Sequence, residues 1–175
     1  MTKPNQSTIN RRTLLQWGSI ITIAIGTATS IEVYSWWDTD PETPFQTLNQ
    51  QEASVVRAVA GAAFPTGESI QLDGMDANLD YFFDELLLAM SNENRTLLKL
   101  LLETIDHITF PTESKYFSEM TIVNQQQYLH TWLNHDNHLV RGAMQSLIVL
   151  LGMGYTAHPT ASGSLSKLFR CGFGQ

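Results

Sequence analysis

The sequence is poor in cysteine and in positive charge, and each shortage argues against a class of protein. Cys171 is the only cysteine, so no disulfide forms within the chain and a hydrophobic core must stabilise the fold. Its thiol is either free or half of an intermolecular bridge. Lys and Arg number 10 against 17 Asp and Glu. Because nucleic acids bind basic surfaces, this balance argues against DNA or RNA as a partner.

Recognisable catalytic motifs are also few. The chain has no Cys-x-x-Cys-His haem motif and no Gly-x-Ser-x-Gly nucleophile elbow. Its carboxylates are scattered, so no pair stands out for acid–base catalysis. His130, His135 and His138 do not share one helix face, and the polar residues around His135 favour a solvated loop over a zinc site.

One cofactor-like motif is present but lacks its context. Gly152-Met-Gly154 follows an apolar run, as in a dinucleotide-binding turn. Pro159 falls where the phosphate-binding helix would begin, and the chain ends before the expected acidic residue. We therefore expect these glycines to admit a neighbouring ring or backbone, and we expect no cofactor site in this chain.

The N-terminus has the layout of an export signal. Residues 1–31 carry three positive charges and no negative one, and Thr13 to Ile31 is uncharged. Arg11 and Arg12, followed by Leu14 and Leu15, resemble the twin-arginine signal, which exports folded proteins. Cleavage after Ser30 and retention as a membrane anchor both remain open. Either fate predicts an exported domain, in the periplasm or on the periplasmic face of the inner membrane.

The rest of the sequence predicts an all-α protein. A linker over 32–46 precedes one helical domain over 47–158 and a glycine-containing tail over 159–175. Apolar residues recur every three to four positions and indicate a bundle of about five helices. A capping box at Asn49 and Glu52, or at Thr47 and Gln50, opens the first helix, and Phe64-Pro65 ends it. The fifth helix, Val140 to Met153, is apolar over most of its surface, so it is predicted to be central.

Several short segments share their order with a known family. They are Leu48-Asn-Gln-Gln-Glu52, Ala63-Phe64-Pro65, Asp80-Tyr81, Leu129-x-x-Trp132, Arg141-x5-Leu147 and Gly154-Tyr-Thr-Ala-His-Pro159. Their order and spacing, behind the twin-arginine motif, resemble the gluconate 2-dehydrogenase subunit 3 family over residues 48–160. Thr156 departs from that family, in which an aromatic residue is common at this position.

The resemblance implies an accessory role. Members of that family accompany a large flavoprotein of the glucose-methanol-choline type, which holds FAD, and often a cytochrome that takes the electrons onward. The resemblance therefore implies a non-catalytic small subunit that is exported with its partner through the twin-arginine translocase. Under this hypothesis the contact surface is predicted to include Phe64, Pro65, Tyr155, His158 and Pro159, with Cys171 as a candidate covalent link.

Two other functions remain open from the residues alone. A free-standing helical protein of the cell envelope would hold a small hydrophobic ligand inside the bundle. An independent enzyme would assemble its site from scattered acids and histidines, and would show shifted pKa values clustered in one cleft.

Overall fold

The computed structural model describes residues 44–67 and 70–168, and these residues form an all-α fold, as predicted. Six helices of ten or more residues lie in this part of the chain. The elements are α1 (Gln50–Ala63), α2 (Leu79–Ala89), α3 (Asn92–His107), the short α4 (Phe110–Glu113), a 3-10 helix (Phe117–Glu119), α5 (Ile122–Leu133), α6 (His138–Ala157) and α7 (Pro159–Leu168).

The central helix is α1, and the prediction that the fifth helix is central was wrong. α1 buries nine of its 14 residues and packs against α2, α3, α5, α6 and the 3-10 helix. Most of its buried residues are Ala, Val and Gly, whose small side chains let neighbours approach from several directions. α6 buries five of its 20 residues, because α1, α2, α5 and α7 cover only part of its apolar surface.

The predicted capping box of Asn49 and Glu52 is present at the start of α1. The Asn49 side chain accepts a hydrogen bond of 2.7 Å from the Glu52 amide, and the Glu52 carboxylate accepts one of 2.9 Å from the Asn49 amide. α1 ends at Ala63, directly before Phe64-Pro65. The capping box and the stop are therefore confirmed, because both depend on residues within a few positions of each other.

The chain after α6 differs from the prediction of a tail. Pro159 starts α7, and Ala161 is fully buried. Proline is favoured in the first turn of a helix because that turn leaves its amides unbonded. His158-Pro159 therefore ends α6, as predicted, and also begins another helix. Before α1, Phe45 is buried within the segment assigned to the linker, and its ring lies 5.1 Å from that of Tyr81.

Candidate functional site

Two of the residues predicted to contact a partner, Phe64 and Tyr155, meet where α1 and α6 end. The rings of Phe64 and Tyr155 stack with centroids 4.7 Å apart and 11° between their planes. The Tyr155 hydroxyl donates a hydrogen bond of 2.7 Å to the carbonyl oxygen of Leu72. The neighbours of these two rings along the chain complete a set that we call the helix-end cluster. Its members are Phe64, Pro65, Tyr155, His158 and Pro159.

Burial divides the helix-end cluster into a packed part and an exposed part. Tyr155 is only 6% exposed, and burial raises the pKa of its hydroxyl. Its side chain is used inside the domain and offers little surface for contact. Phe64 and His158 are half-buried, whereas Pro65 and Pro159 are exposed. A protein bound at this end would therefore touch the two prolines first.

A glycine lets the loop after α1 close on this cluster. The Gly74 amide donates a hydrogen bond of 2.8 Å to the carbonyl oxygen of Phe64. A Cβ at residue 74 would lie 2.1 Å from the carbonyl oxygen of Ala60, where no side-chain atom fits. The close approach brings the loop back over the end of α1.

Gly154 serves packing, as the sequence predicts. A Cβ at this position would lie 2.4 Å from Cδ1 of Phe82, so only glycine admits that ring. A Cβ at residue 152 would lie 3.7 Å from Cζ of Phe64, an ordinary packing distance. α6 continues through both glycines to Ala157, so no phosphate-binding turn forms here.

Five predicted residues lie outside the described part of the chain. They are the export-signal residues Arg11, Arg12, Leu14 and Leu15 and the candidate covalent link Cys171. Most of the predicted linker, residues 32–43, lies outside it as well. Their roles stay predictions from the sequence.

The histidines do not gather into a metal site in the part of the chain that the structure describes. His135 lies in the loop between α5 and α6, and its Nδ1 accepts a hydrogen bond of 3.0 Å from the Asn137 amide. His138 Nδ1 contacts the guanidinium of Arg141, and His130 is exposed on α5. Across 44–67 and 70–168, no three His, Cys, Asp or Glu side chains lie close enough to hold a metal.

A partly buried ion pair joins α1 to α3. Lys99 Nζ lies 3.2 Å from Glu52 Oε2 and donates a hydrogen bond of 2.9 Å to the carbonyl oxygen of Thr47. One turn along α3, burial and the carboxylates of Glu52 and Asp106 raise the pKa of Glu103 to about 7. Burial also raises the pKa of Glu52. Glu103 therefore exchanges its proton near neutral pH.

Two other buried carboxylates accept hydrogen bonds from distant segments. Asp84 on α2 accepts from the amides of residues 46–48, each at 2.8 Å, and from the Thr47 hydroxyl at 2.6 Å. Asp106 on α3 accepts from Gln51 Nε2 at 2.5 Å and from the Ser118 amide at 2.9 Å. Asp84 thus holds the segment that leads into α1 against α2, and Asp106 holds the first turn of α1 against α3.

The side chains of Glu52, Asp84 and Asp106 each join separate segments of the chain. Every buried side-chain nitrogen or oxygen of the described residues has a hydrogen-bond partner within the protein. The carboxylates of Asp84 and Asp106 therefore each bond within the domain.

An exposed apolar face on α3 is the feature that the sequence analysis missed. Apolar residues recur along α3 from Leu97 to Ile108, but within that series only Leu102 and Ile105 are buried. Leu97 is 52% exposed and Ile108 is 53% exposed. Residues 97–102 contain five leucines, and these spread around too much of the helix circumference for one neighbouring helix to bury. This wide apolar surface was the feature of the sequence that could have predicted an exposed face. We define the α3 outer face as Leu97, Leu100, Leu101, Thr104 and Ile108.

α6 also has an exposed face, and it is uncharged. By length and composition alone α6 is able to cross a membrane, with a mean hydropathy of 1.2 over its best window. Leu147 and Leu151 belong to the core, whereas Leu139, Val149 and Met153 are 63%, 64% and 57% exposed. We define the α6 outer face as Leu139, Gly142, Ser146, Val149 and Met153.

Comparisons with protein-family models, with curated proteins and with solved structures find no match to this chain. The class of protein that the structure defines is a helical bundle with two exposed apolar helix faces and internally paired acids.

Proposed function

We propose that this protein is a non-catalytic small subunit that binds, stabilises and co-exports a FAD-dependent dehydrogenase by the twin-arginine route. The partner oxidises a sugar, sugar acid or alcohol and holds the flavin, and a cytochrome takes the electrons onward. Two features of the sequence support this proposal. One is the twin-arginine motif at Arg11 and Arg12, and the other is the set of short segments whose order along the chain resembles the gluconate 2-dehydrogenase subunit 3 family.

The observation that carries the proposal is the α3 outer face. Leu97, Leu100 and Ile108 are 52%, 36% and 53% exposed along one long helix. Exposed apolar area is unfavourable in water by about 25 cal/mol per Å², so a face of this kind is typical of a surface that a partner covers. A helix surface is convex and fits another protein, whereas a small ligand needs a concave pocket. The face therefore favours a subunit over a free-standing ligand-binding protein.

Co-export gives the association a physical reason. A flavoprotein that loads FAD in the cytoplasm is folded before it leaves, so it needs a route that accepts folded cargo. A small folded bundle with its own signal carries such a partner when the two associate before export. The exposed prolines of the helix-end cluster, Pro65 and Pro159, extend the predicted contact, and Cys171 is the candidate for a covalent link.

The test is purification of the tagged full-length chain from the membrane and periplasmic fractions of its native host. We expect a yellow complex with one larger chain whose flavin absorbance co-elutes with the tag. Arg11→Lys combined with Arg12→Lys should remove both chains from these fractions. A colourless monomer that still reaches the periplasm contradicts the proposal.

A pair of variants tests the proposed surface itself. Leu97→Gln combined with Leu100→Gln should remove the larger chain and the flavin from the purified sample. Val123→Gln is the matched control, because Val123 is 67% exposed on another helix, α5. Equal loss of the partner in both samples would mean that the α3 outer face is not the contact. Circular dichroism on each variant checks that the helices are retained.

A further inference from the structure

The α3 outer face lies in a region of the chain with a large negative charge. Residues 44–119 contain twelve acidic and four basic residues, a net charge of −8. Three of the four basic side chains are bonded to carboxylates or carbonyl oxygens of the domain, namely those of Arg57, Arg95 and Lys99. The field around the α3 outer face is therefore negative, and it attracts a positively charged surface.

Glu93 lies on the same side of α3 as this face. It precedes Leu97 by four residues and Leu100 by seven, and this spacing places the three side chains in one line along the helix. Glu93 is exposed, whereas Asp106 is buried and the side chain of Glu103 is only 19% exposed. Within the described residues the Glu93 carboxylate accepts no hydrogen bond and forms no ion pair. An unpaired carboxylate therefore stands at the N-terminal end of the apolar line.

Helix stability alone does not explain where this charge is placed. An acid anywhere in the first turn offsets the partial positive charge of the unbonded amides. Positions 92 and 94 also belong to that turn, and both hold asparagine. The single acid of the turn stands at the position that is aligned with Leu97, where a partner on the α3 outer face would meet it.

We propose that the partner covers the α3 outer face with an apolar surface bordered by Lys or Arg, one of which pairs with Glu93. The inference rests on the subunit role proposed above and adds the chemistry of the partner's surface. An ion pair contributes little in open water, but protein that covers Leu97 excludes solvent beside the pair and strengthens it. Opposite charges on the two surfaces also speed their encounter.

A second copy of the chain is a poorer occupant of this face. It would bring another region with a net charge of −8 against the first, and repulsion between like charges opposes that contact. An anionic lipid surface is disfavoured for the same reason. A basic protein surface is therefore the occupant that the charges favour.

Competition between two tagged copies of the full-length chain in its native host tests the proposal. One tag marks the wild type and the other marks a variant, and the probe is the larger chain recovered with each tag. Glu93→Gln removes one charge and should lower that recovery about threefold relative to the wild type. Glu93→Lys replaces attraction by repulsion and should lower it about tenfold.

The matched control is Glu85→Lys, which makes the same change of charge at an exposed position of another helix, α2. Its recovery of the larger chain should stay within about twofold of the wild type. Urea unfolding of each variant should show only a small loss of stability, since an exposed charge near a helix end contributes little to it. A fall in recovery then reports the contact and not the fold.

Three results overturn the proposal. Equal recovery with Glu93→Lys and Glu85→Lys means that no cation of the partner meets this face, and the subunit role stands if Leu97→Gln combined with Leu100→Gln still loses the larger chain. Recovery of one tagged copy with the other tag, with no larger chain present, identifies a contact between copies. A wild type that binds no larger chain overturns both the subunit role and the surface. A larger chain without flavin that is lost with Glu93→Lys supports the surface and contradicts only the subunit role.

Discussion

The acidic region, residues 44–119, and the C-terminal pair α6 and α7 are stabilised in different ways. In the acidic region, side chains cross-link the segments through Asp84, Asp106 and the Lys99–Glu52 pair. In α6 and α7 the bonded hydroxyls of Ser and Thr return to carbonyls of their own helices, and the Tyr155 hydroxyl bonds across to the loop before α2. The acidic region therefore adds polar links between distant segments to its apolar core, whereas the Ser and Thr side-chain bonds of α6 and α7 stay within each helix.

This difference predicts different sensitivities. Loss of a buried acceptor or a change of pH should act on the acidic region, because its carboxylates are partly or fully buried. A change of side-chain volume should act on α6, and only on its inner side. Substitutions that keep the fold measurable separate the two, and urea unfolding followed by circular dichroism gives their free energies.

The largest effect is expected at Asp84. Asp84→Ala removes the acceptor for the amides of residues 46–48 and for the Thr47 hydroxyl, so the free energy of unfolding should fall by about 3–4 kcal/mol. Glu85→Ala, at the exposed next position, should change it by less than about 0.5 kcal/mol. Similar losses for both variants would contradict the anchoring role.

The hydrogen bonds at Asp84 also predict a pH dependence. Burial acts to raise the pKa of its carboxyl, but the bonds from Thr47 and the amides lower it overall, below the ordinary 3.8. The stability that ionised Asp84 contributes is thus complete above pH 3.8 and is lost as the pH falls through the lowered pKa. Asp84→Ala should unfold with less acid-induced loss than the wild type below that pH.

Gly154 tests the inner side of α6. Gly154→Val places branched atoms where Phe82 already lies, and we expect a loss of about 2–3 kcal/mol. Gly142→Ala is the control on the same helix, where a Cβ meets no atom within 4 Å. That variant should gain about 0.5–1 kcal/mol, because alanine favours the helix over glycine. A loss at residue 142 as large as that at 154 would contradict the division of α6 into two sides.

Glu103 gives a smaller effect whose size depends on pH. Between pH 4.5 and about 7 the folded chain holds a proton that the unfolded chain releases, so the stability from protonated Glu103 falls as the pH rises through this window. Glu103→Gln should raise the free energy of unfolding by about 1 kcal/mol at pH 8, after allowance for solvent screening, and by almost nothing at pH 4.5. Glu85→Gln, at an exposed position of α2, is the matched control measured at the same two pH values. A gain that is equal at both values would assign the effect to something other than this proton.

The smallest effect is expected on the outer side of α6. Val149→Gln should change the free energy of unfolding by less than about 0.5 kcal/mol, because Val149 is 64% exposed. A loss above 1 kcal/mol would show that this side chain supports the fold, and the comparison between the two sides of α6 would fail.

Features that depend on neighbours along the chain were determined by the sequence. The capping box of Asn49 and Glu52, the stop at Phe64-Pro65 and the loop around His135 each involve residues a few positions apart. The helix after Pro159 was the local exception, since Pro159 and Gly163 resemble breakers although proline also starts helices. The all-α class followed from spacing alone, because a period of three to four residues fits one kind of element.

Only the tertiary structure decided which apolar surfaces are covered and which carboxylates accept hydrogen bonds from distant segments. The bonds of Asp84 to Thr47 and of Asp106 to Gln51 join residues 37 and 55 positions apart, and no local pattern encodes such pairs. The place of α1 at the centre and the exposure of Leu97 and Val149 depend in the same way on where distant helices pack. A helix sequence specifies how wide its apolar surface is, but burial is a property of two surfaces, and the second comes from elsewhere in the chain.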